Sequence, residues 1–360
     1  MNFVFPERRA LCMAENATHN LHNILTLRGA LVRDARIWSY YLNEAIDLFA
    51  DEIDVSFASH HWPTWGRDRI VKYLSEQRDL YAHLHDQTLR LMNQGYTGIE
   101  IAEMMQLPPA LEAAWHTHGY YGSVSHNVKA IYQRYLGWFD GNPANLWKHP
   151  PQETGRRYAE AFGGRDALVT KAQEFIARGD LRFAAELLNH AVFANDSDTE
   201  ARELLATVYD RLGYGAENGT WRNFYLQGAH ELRHGVDSTP VNLAPPDLIT
   251  ALTVDELFDA VAIRINGPKA WDVHGAIDWV VSGLGERHRT ELTNGVLVQH
   301  DDPRSGEAAL TITLTKAQLI GLLGGVLTLQ DVDVDGDVGM VQTFLSVLDR
   351  LQPGFPIVTP

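Results

Sequence analysis

The feature that most constrains the fold is a long run of helical pattern in the middle of the chain. From about residue 64 to residue 230, apolar residues recur at helical spacing, interrupted at glycine and proline. The interruptions are Gly95, Leu107-Pro108-Pro109, Gly141-Asn142-Pro143, Pro150-Pro151 and Gly163-Gly164. They divide the run into several helices and predict an all-α region over residues 64–235.

A repeat lies within this run, over residues 165–212. Small and apolar residues recur there in the pattern of two helix pairs of the tetratricopeptide type. The residues of the pattern are Ala172, Gly179, Asp180, Ala184, Ala185, Leu188 and Ala191, then Ala201, Leu204, Leu205, Ala206, Tyr209 and Leu212. Such pairs stack and usually form an interaction or dimer surface. An all-helical core without repeats fits the pattern equally well.

The regions on either side differ from this run in the spacing of their apolar residues. Residues 1–63 hold short strand-like pieces and one amphipathic helix over 32–50, and residues 236–246, with three prolines, predict a linker. Residues 247–360 alternate between helical and strand-like spacing of apolar residues. Helices are predicted at 253–263, 316–323 and 340–351, and strands at 291–299 and 309–315. This order predicts a small α+β domain.

Composition excludes several classes of protein. The chain has 360 residues, 45% hydrophobic and 21% charged, which suits a soluble protein of two or three domains. A formal charge of −16 argues against nucleic acid or an anionic membrane as the main partner. No apolar run approaches the roughly 20 residues that span a bilayer. We expect a cytoplasmic protein as written, or a periplasmic or secreted one if an export signal lies upstream.

Two residues near the start are candidate metal ligands. Glu15 follows an apolar strand-like run and precedes a polar turn, where α/β proteins place ligating carboxylates. His60 lies in Ser59-His60-His61-Trp62-Pro63, where the proline holds the preceding residue extended. Taken singly, Glu15 is more often a turn or cap residue and His60 a structural or exposed histidine.

Two arginines between them suggest an anion site. Arg28 and Arg33 flank Gly29 and precede a helix, with Asn23 and Thr26 as nearby hydrogen-bond donors. Two guanidinium groups near a helix N-terminus suit a tetrahedral oxyanion such as sulfate or phosphate. An ordinary strand–turn–helix with surface arginines is an equally good interpretation.

Other histidines and acids carry weaker signals. His126 lies in a histidine- and tyrosine-rich helical stretch and is either a core residue or a general acid. His83-Leu84-His85-Asp86 imitates a zinc motif, but residues two apart on a helix diverge by about 200°. The run 331–337 imitates a calcium loop, but its valines alternate as in a strand and Gln342 stands where the bidentate Glu belongs.

Together these segments resemble the zinc-dependent alkylsulfatases that hydrolyse dodecyl sulfate. The most specific stretches are residues 12–33, 59–65, 84–92, 120–143, Phe193 and 221–234. The resemblance implies a metallo-β-lactamase-like catalytic domain, of which residues 1–63 are the C-terminal remnant. It further implies a helical dimerisation domain at 64–235 and a domain at 247–360 like sterol carrier protein 2.

The resemblance also assigns residues. Glu15 matches the carboxylate that bridges two zinc ions, and His60 matches a ligand of one of them. The sulfate-gripping loop corresponds to Asn23, Ile24, Leu25, Thr26, Leu27, Arg28 and Arg33, and His126 to a histidine near the substrate. The HxHxDH motif and the second metal-binding Glu of the family do not occur in this sequence. We therefore expect an incomplete metal site.

Two functions follow as hypotheses. The first is a homodimeric alkylsulfatase that, with its catalytic domain complete, uses zinc-activated water to cleave primary alkyl sulfates into alcohol and sulfate. The second is a non-catalytic protein that dimerises through its helices and binds lipid or surfactant in the C-terminal domain. That domain resembles sterol carrier protein 2, whose apolar tunnel suits a dodecyl-like chain.

Overall fold

The computed structural model describes residues 1–236, 245–301, 308, 310–350 and 354–360. Two compact units are present, one formed by residues 1–236 with 356–360 and the other by residues 237–355. Most of the predicted linker at 236–246 lies outside the described residues. None of the described helices is both long and apolar enough to cross a membrane.

The first unit begins with a four-stranded sheet in the order β1-β2-β3-β4. The strands are β1 (Phe3–Phe5), β2 (Ala10–Cys12), β3 (Val55–Phe57) and β4 (Thr64–Trp65). Helix α1 (Ala35–Phe49) connects the parallel strands β2 and β3, as a crossover between parallel strands requires. It begins three residues later than predicted because the Asp34 side chain caps it by accepting from the Ile37 N–H at 3.1 Å.

Helices follow almost without interruption, as predicted. They are α2 (Arg67–Met92), α3 (Gly98–Met104), α4 (Pro109–Glu112), α5 (Val124–Leu136), α6 (Pro151–Ala161), α7 (Arg165–Ala177), α8 (Leu181–Ala194), α9 (Thr199–Tyr214) and α10 (Gly219–His234). Each predicted glycine or proline break falls between two of these helices or in the first turn of one. The predicted repeat region, residues 165–212, holds three helices instead of two pairs: α7 and α8 form one pair, and α9 pairs with α10, which begins beyond that region at Gly219.

Two hydrophobic cores hold this unit together. One joins residues of the sheet and α1 to α2, α3 and α5 around Leu11, Trp38 and Tyr81. The other lies among α7 to α10, around Leu188 and Leu205. The predicted sheet region and the first helices after it therefore share a core, which fixes the loops between them.

The second unit contains a five-stranded sheet in the order β7-β6-β5-β8-β9. Its strands are β5 (Gly275–Ser282), β6 (Glu286–Thr293), β7 (Val296–Asp301), β8 (Leu310–Thr315) and β9 (Asp333–Gly336). The helices are α11 (Pro246–Ala251), α12 (Val254–Ala262), α13 (Gly267–Ala270), α14 (Lys316–Leu323) and α15 (Val338–Ser346). One core around Trp279 and Phe258 joins the sheet to helices, and the α+β class is as predicted.

One predicted strand in this unit is wrong. Residues 291–299 form the end of β6, a tight turn and the start of β7, instead of one strand. The turn is Asn294-Gly295, with φ values of 51° and 74°. Positive φ at both residues is the geometry of a two-residue hairpin, for which Asn-Gly is the preferred sequence.

Candidate functional site

Glu15 and His60 lie together because two parallel strands end side by side. Beyond β2 and β3 the pairing continues, and the Ser59 N–H donates to the Ala14 carbonyl at 2.9 Å. Ala14 has a left-handed backbone with φ of 48°, which turns the chain out of the strand just before Glu15. The His60 Nε2 lies 3.2 Å from Glu15 Oε1. The two predicted metal ligands are therefore adjacent.

A third residue of this cluster, His22, was not predicted as a ligand. Its Nε2 lies 3.4 Å from Glu15 Oε2, and its side chain is 2% exposed. The ring contacts the edge of Tyr121 and lies 5.4 Å from the Trp38 ring, centre to centre. The sequence shows the residue but not its burial, which depends on contacts with segments far along the chain.

The charges around Glu15 favour its ionised form. Partial burial acts to raise the pKa of its carboxyl, but contacts with His60 and the charges of His22 and Arg33 bring that pKa below its ordinary value. Burial lowers the pKa of His22, and the nearby Arg33 guanidinium lowers it further. Glu15 thus offers carboxylate oxygens beside the imidazole rings of His22 and His60, and zinc is commonly bound by both kinds of ligand.

The loop predicted to bind an anion, residues 23–33, is called the anion loop and is folded around Arg33. The Arg33 Nη1 donates to the Asn23 carbonyl at 3.0 Å, to Asn23 Oδ1 at 3.1 Å and to Thr26 Oγ1 at 3.4 Å. Asn23, Ile24 and Thr26 are buried, Leu25 is half-buried, and Leu27 and Arg28 are exposed. Arg33 is fixed before any ligand arrives, while Arg28 lies at the solvent side of the loop.

Helix α5 fixes this loop through the side chain of Asn127. The Ile24 N–H donates to Asn127 Oδ1 at 3.0 Å, and Asn127 Nδ2 donates to the His22 carbonyl at 3.0 Å. Asn127 is fully buried. One amide therefore fixes both the histidine beside Glu15 and the first turn of the anion loop, a link between distant segments that the sequence did not indicate.

His126 is engaged at both ring nitrogens. Its Nε2 lies 2.6 Å from the Leu25 carbonyl, and Trp221 Nε1 donates to its Nδ1 at 2.9 Å. The carbonyl can only accept, so the ring proton is on Nε2 and points at the loop. His126 is 5% exposed, and burial lowers its pKa. Its bonds tie the anion loop to α10.

The two segments that resemble metal motifs, residues 83–86 and 331–337, include the helix and the strand that the sequence pattern predicts. His83 and His85 are in α2 and face different partners: His83 Nε2 bonds the Gln106 carbonyl, and His85 bonds Asp86 and Tyr135. Residues 333–336 form a strand. In the described parts of the chain, the group of three metal-type side chains within 4.8 Å is Asp255, His288 and Asp301 in the second unit.

The fold and two family models now define the class of protein. The model described as alkyl sulfatase dimerisation matches residues 97–235, and the one described as alkyl sulfatase C-terminal matches residues 242–360. The chain is thus a multi-domain protein with a helical dimerisation domain and an α+β C-terminal domain.

Known proteins resemble it over its whole length. A linear primary-alkylsulfatase of Pseudomonas sp. is 43% identical across 100% of this chain and 54% of the relative. The alkyl/aryl-sulfatase BDS1 of Saccharomyces cerevisiae is 41% identical across 100% of the chain and 56% of the relative. A solved stereoselective inverting sec-alkylsulfatase of Pseudomonas sp. is 41% identical, with a TM-score of 0.97, and 58% of it is covered.

A further relative fixes the family. A linear primary-alkylsulfatase of Pseudomonas sp. (strain ATCC 19151) is 35% identical over 96% of this chain and 68% of its own length. The chain belongs to the alkylsulfatase family. It spans about half the length of the other curated relatives compared above.

Proposed function

We propose that the protein acts as an alkylsulfatase, cleaving primary alkyl sulfates into alcohol and sulfate. The observation that carries the proposal is the position of Glu15 and His60 beside the loop organised by Arg33. A carboxylate and an imidazole at the ends of two parallel strands, next to a guanidinium, place a metal-type donor pair next to an anion site. In this proposal residues 1–63 belong to a metallo-β-lactamase-like catalytic domain.

The residues around Glu15 fit zinc in part. Glu15 and His60 would hold it, because carboxylate oxygen and imidazole nitrogen are zinc ligands and both are within reach of one ion. When bound, zinc would supply positive charge and acidify water. Among the described residues, no third His, Cys, Asp or Glu has a ligand atom within 4.8 Å of the ligand atoms of both residues, although His22 approaches Glu15 alone. Zinc usually has four ligands, so this pair would supply only part of the set.

Arg33, Arg28 and the buried loop residues would bind the sulfate group. Arg33 is held through its Nη1, so its guanidinium need not be ordered when sulfate binds. Arg28 is exposed and free to approach the sulfate oxygens from the solvent side. In this scheme His126 positions the loop through the Leu25 carbonyl and does not itself deliver a proton.

We also propose a homodimer formed by the helical domain. The matched dimerisation model covers most of that domain. Paired helices of this kind stack and leave extended surfaces for contact.

A second candidate function rests on a cavity in the second unit. The cavity measures about 380 Å³ and lies between the sheet and α15, within the size range of small-molecule sites. Its wall is mainly apolar, with Ile277, Leu292, Leu297, Met340 and Phe344, and Asp337 and His274 also line it. Such a cavity would suit the alkyl chain of an amphiphile, as in sterol-carrier-protein-2-like domains.

One experiment separates the two functions. The purified protein is assayed for sulfate release from dodecyl sulfate with and without added zinc, and for binding of a fluorescent fatty acid. Zinc-dependent release supports the alkylsulfatase. Saturable binding of the fatty acid without bound zinc or sulfate release would contradict it and favour the non-catalytic carrier.

A further inference from the structure

A cluster of metal-type side chains lies in the second unit, where one helix and two strands meet. Asp255 is in the first turn of α12, His288 is in β6, and Asp301 is the last residue of β7. His288 and Asp301 are direct partners in the antiparallel ladder, so their side chains leave the sheet on the same face. The ligand atoms of the three residues all lie within 4.8 Å of one another.

The His288 ring is the fixed part of this cluster. Its side chain is 7% exposed, and its ring lies 6.0 Å from the buried Phe258 ring, centre to centre. The His288 Nδ1 lies 3.2 Å from Asp255 Oδ1 and 3.2 Å from Asp301 Oδ1. On the other side of the ring, Nε2 lies 3.2 Å from Glu286 Oε2. One ring nitrogen therefore faces two carboxylates while the other faces a third.

The two aspartates have too little positive charge around them. Asp255 Oδ1 is shielded from solvent, although its side chain as a whole is 44% exposed, and it makes no hydrogen bond within the described residues. Buried polar atoms without a partner are rare in native structures. In the part of the chain that the structure describes, the ion pairs of Asp255 and Asp301 are with His288 alone. One imidazole carries at most one positive charge, against three carboxylates.

The separations fit a metal ion in this position. In a tetrahedral site with bonds of about 2.0–2.1 Å, neighbouring ligand atoms lie about 3.3 Å apart. Both distances of 3.2 Å from His288 Nδ1 agree with this value. Metal-bound histidines usually donate their second N–H to a carboxylate or carbonyl, and Glu286 is placed to accept from Nε2. One imidazole and two carboxylates suit a divalent transition ion.

We propose that Asp255, His288 and Asp301 form a binding site for a divalent ion of the zinc type. The ion binds to His288 Nδ1 and to one oxygen of each aspartate, and Glu286 orients the ring. The Asp301 side chain is 69% exposed, so water has access to the fourth position from that side. Because β7 is an edge strand, the ion would cross-link α12 to the edge of the sheet.

The test removes the proposed ligands of the first unit, so that their zinc does not obscure the result. The double variant Glu15→Gln/His60→Gln is titrated with Zn²⁺ at pH 7.5 in a calorimeter. We expect it to bind zinc, and the further change Asp301→Asn to weaken that binding about 10-fold or more. In the ¹⁵N-histidine-labelled double variant, zinc should shift the Nδ1 signal of His288, which is assigned with His288→Gln.

The matched control is His300→Gln. His300 precedes Asp301 in β7, points to the opposite face of the sheet and is 53% exposed, so its loss should leave the zinc affinity unchanged. Asp301 is exposed, and Asp301→Asn should fold even if His288→Gln does not. If Asp301→Asn binds zinc as tightly as its parent, or if zinc leaves the His288 Nδ1 signal in place, the cluster is an ion-pair network and the proposal is wrong. Neither result bears on the proposed alkylsulfatase activity, whose residues lie in the first unit.

Discussion

At the scale of single residues, His126 joins the loop at Leu25 to Trp221 of helix α10 through its two ring nitrogens. Replacing it with Phe leaves the Leu25 carbonyl without its donor and Trp221 Nε1 without its acceptor. We expect His126→Phe to lower the free energy of unfolding by about 1–3 kcal/mol, measured by urea denaturation. His83→Phe removes a histidine–carbonyl bond at a less buried site and should cost within about 0.5 kcal/mol. Equal losses in the two variants would contradict the positioning role.

His19 gives the residue-scale prediction for pH. Burial, with the charges of His116 and His61, lowers its pKa from 6.5 to about 4. The unfolded chain therefore takes up a proton at His19 before the folded protein does, so stability should fall as the pH drops from 6.5 to 4. His19→Phe, which keeps an aromatic ring against Tyr73 and Trp62, should make that fall shallower in urea midpoints.

Between pH 7.5 and 8.5 the ring is neutral in both states, and the two proteins should show the same pH dependence. If His19→Phe loses stability as steeply as the native chain between pH 6.5 and 4, the low pKa is wrong.

The sequence was informative about some site residues and silent about others for a physical reason. Glu15 and His60 were predicted as ligands on local pattern and resemblance, and they lie together because parallel strands end at one edge. The importance of His22 comes from its burial by Tyr121 and from Asn127, a hundred residues away. Local pattern carries no information on such contacts. Whether Glu15 and His60 bind zinc stays a prediction.

At the scale of elements, the hairpin between β6 and β7 is the instructive case. Alternation alone predicts one strand over 291–299, whereas the dipeptide Asn294-Gly295 is itself a signal for a two-residue hairpin turn. Helix α14 was predicted at its observed bounds because the Thr315 and Gln318 side chains form a capping box that marks its start. Strand β5 was missed because it pairs on both sides and much of it is buried, so it lacks a long polar–apolar alternation.

Gly295 tests the hairpin. Its φ is 74°, and an added Cβ would lie 2.9 Å from the Gly267 carbonyl oxygen. We expect Gly295→Ala to lower the free energy of unfolding by about 1–3 kcal/mol through strain and overlap. Gly283 has a φ of 91° with nothing within 4 Å of an added Cβ, so Gly283→Ala measures the strain alone. If Gly295→Ala costs no more than this control in denaturant unfolding, the close approach to Gly267 is not real.

At the scale of the whole molecule, the proposed homodimer needs an apolar surface on the helical domain. Trp147 is 96% exposed and Trp138 is 76% exposed, with Leu136 and Leu146 also exposed nearby in sequence. Large exposed apolar residues of this kind mark association surfaces. We expect Trp147→Glu to raise the dimer dissociation constant about 10-fold or more in analytical ultracentrifugation.

Trp271→Glu changes an exposed tryptophan of the second unit and should leave the dimer unaffected. A dimer that tolerates Trp147→Glu, or a native chain that stays monomeric at high concentration, would contradict this placement of the interface.

We propose that Glu15, beside the Arg33 loop, belongs to a zinc-dependent site for alkyl sulfates. The decisive measurement is sulfate release from dodecyl sulfate, using the protein at the full length its gene encodes, in zinc-containing buffer. We predict that Glu15→Gln lowers the rate about 10³-fold or more, because a neutral amide cannot bridge metal ions. Glu7→Gln, at an exposed carboxylate in the turn before β2, should keep the native rate. Release that is unchanged by Glu15→Gln, or that does not depend on zinc, would contradict the claim.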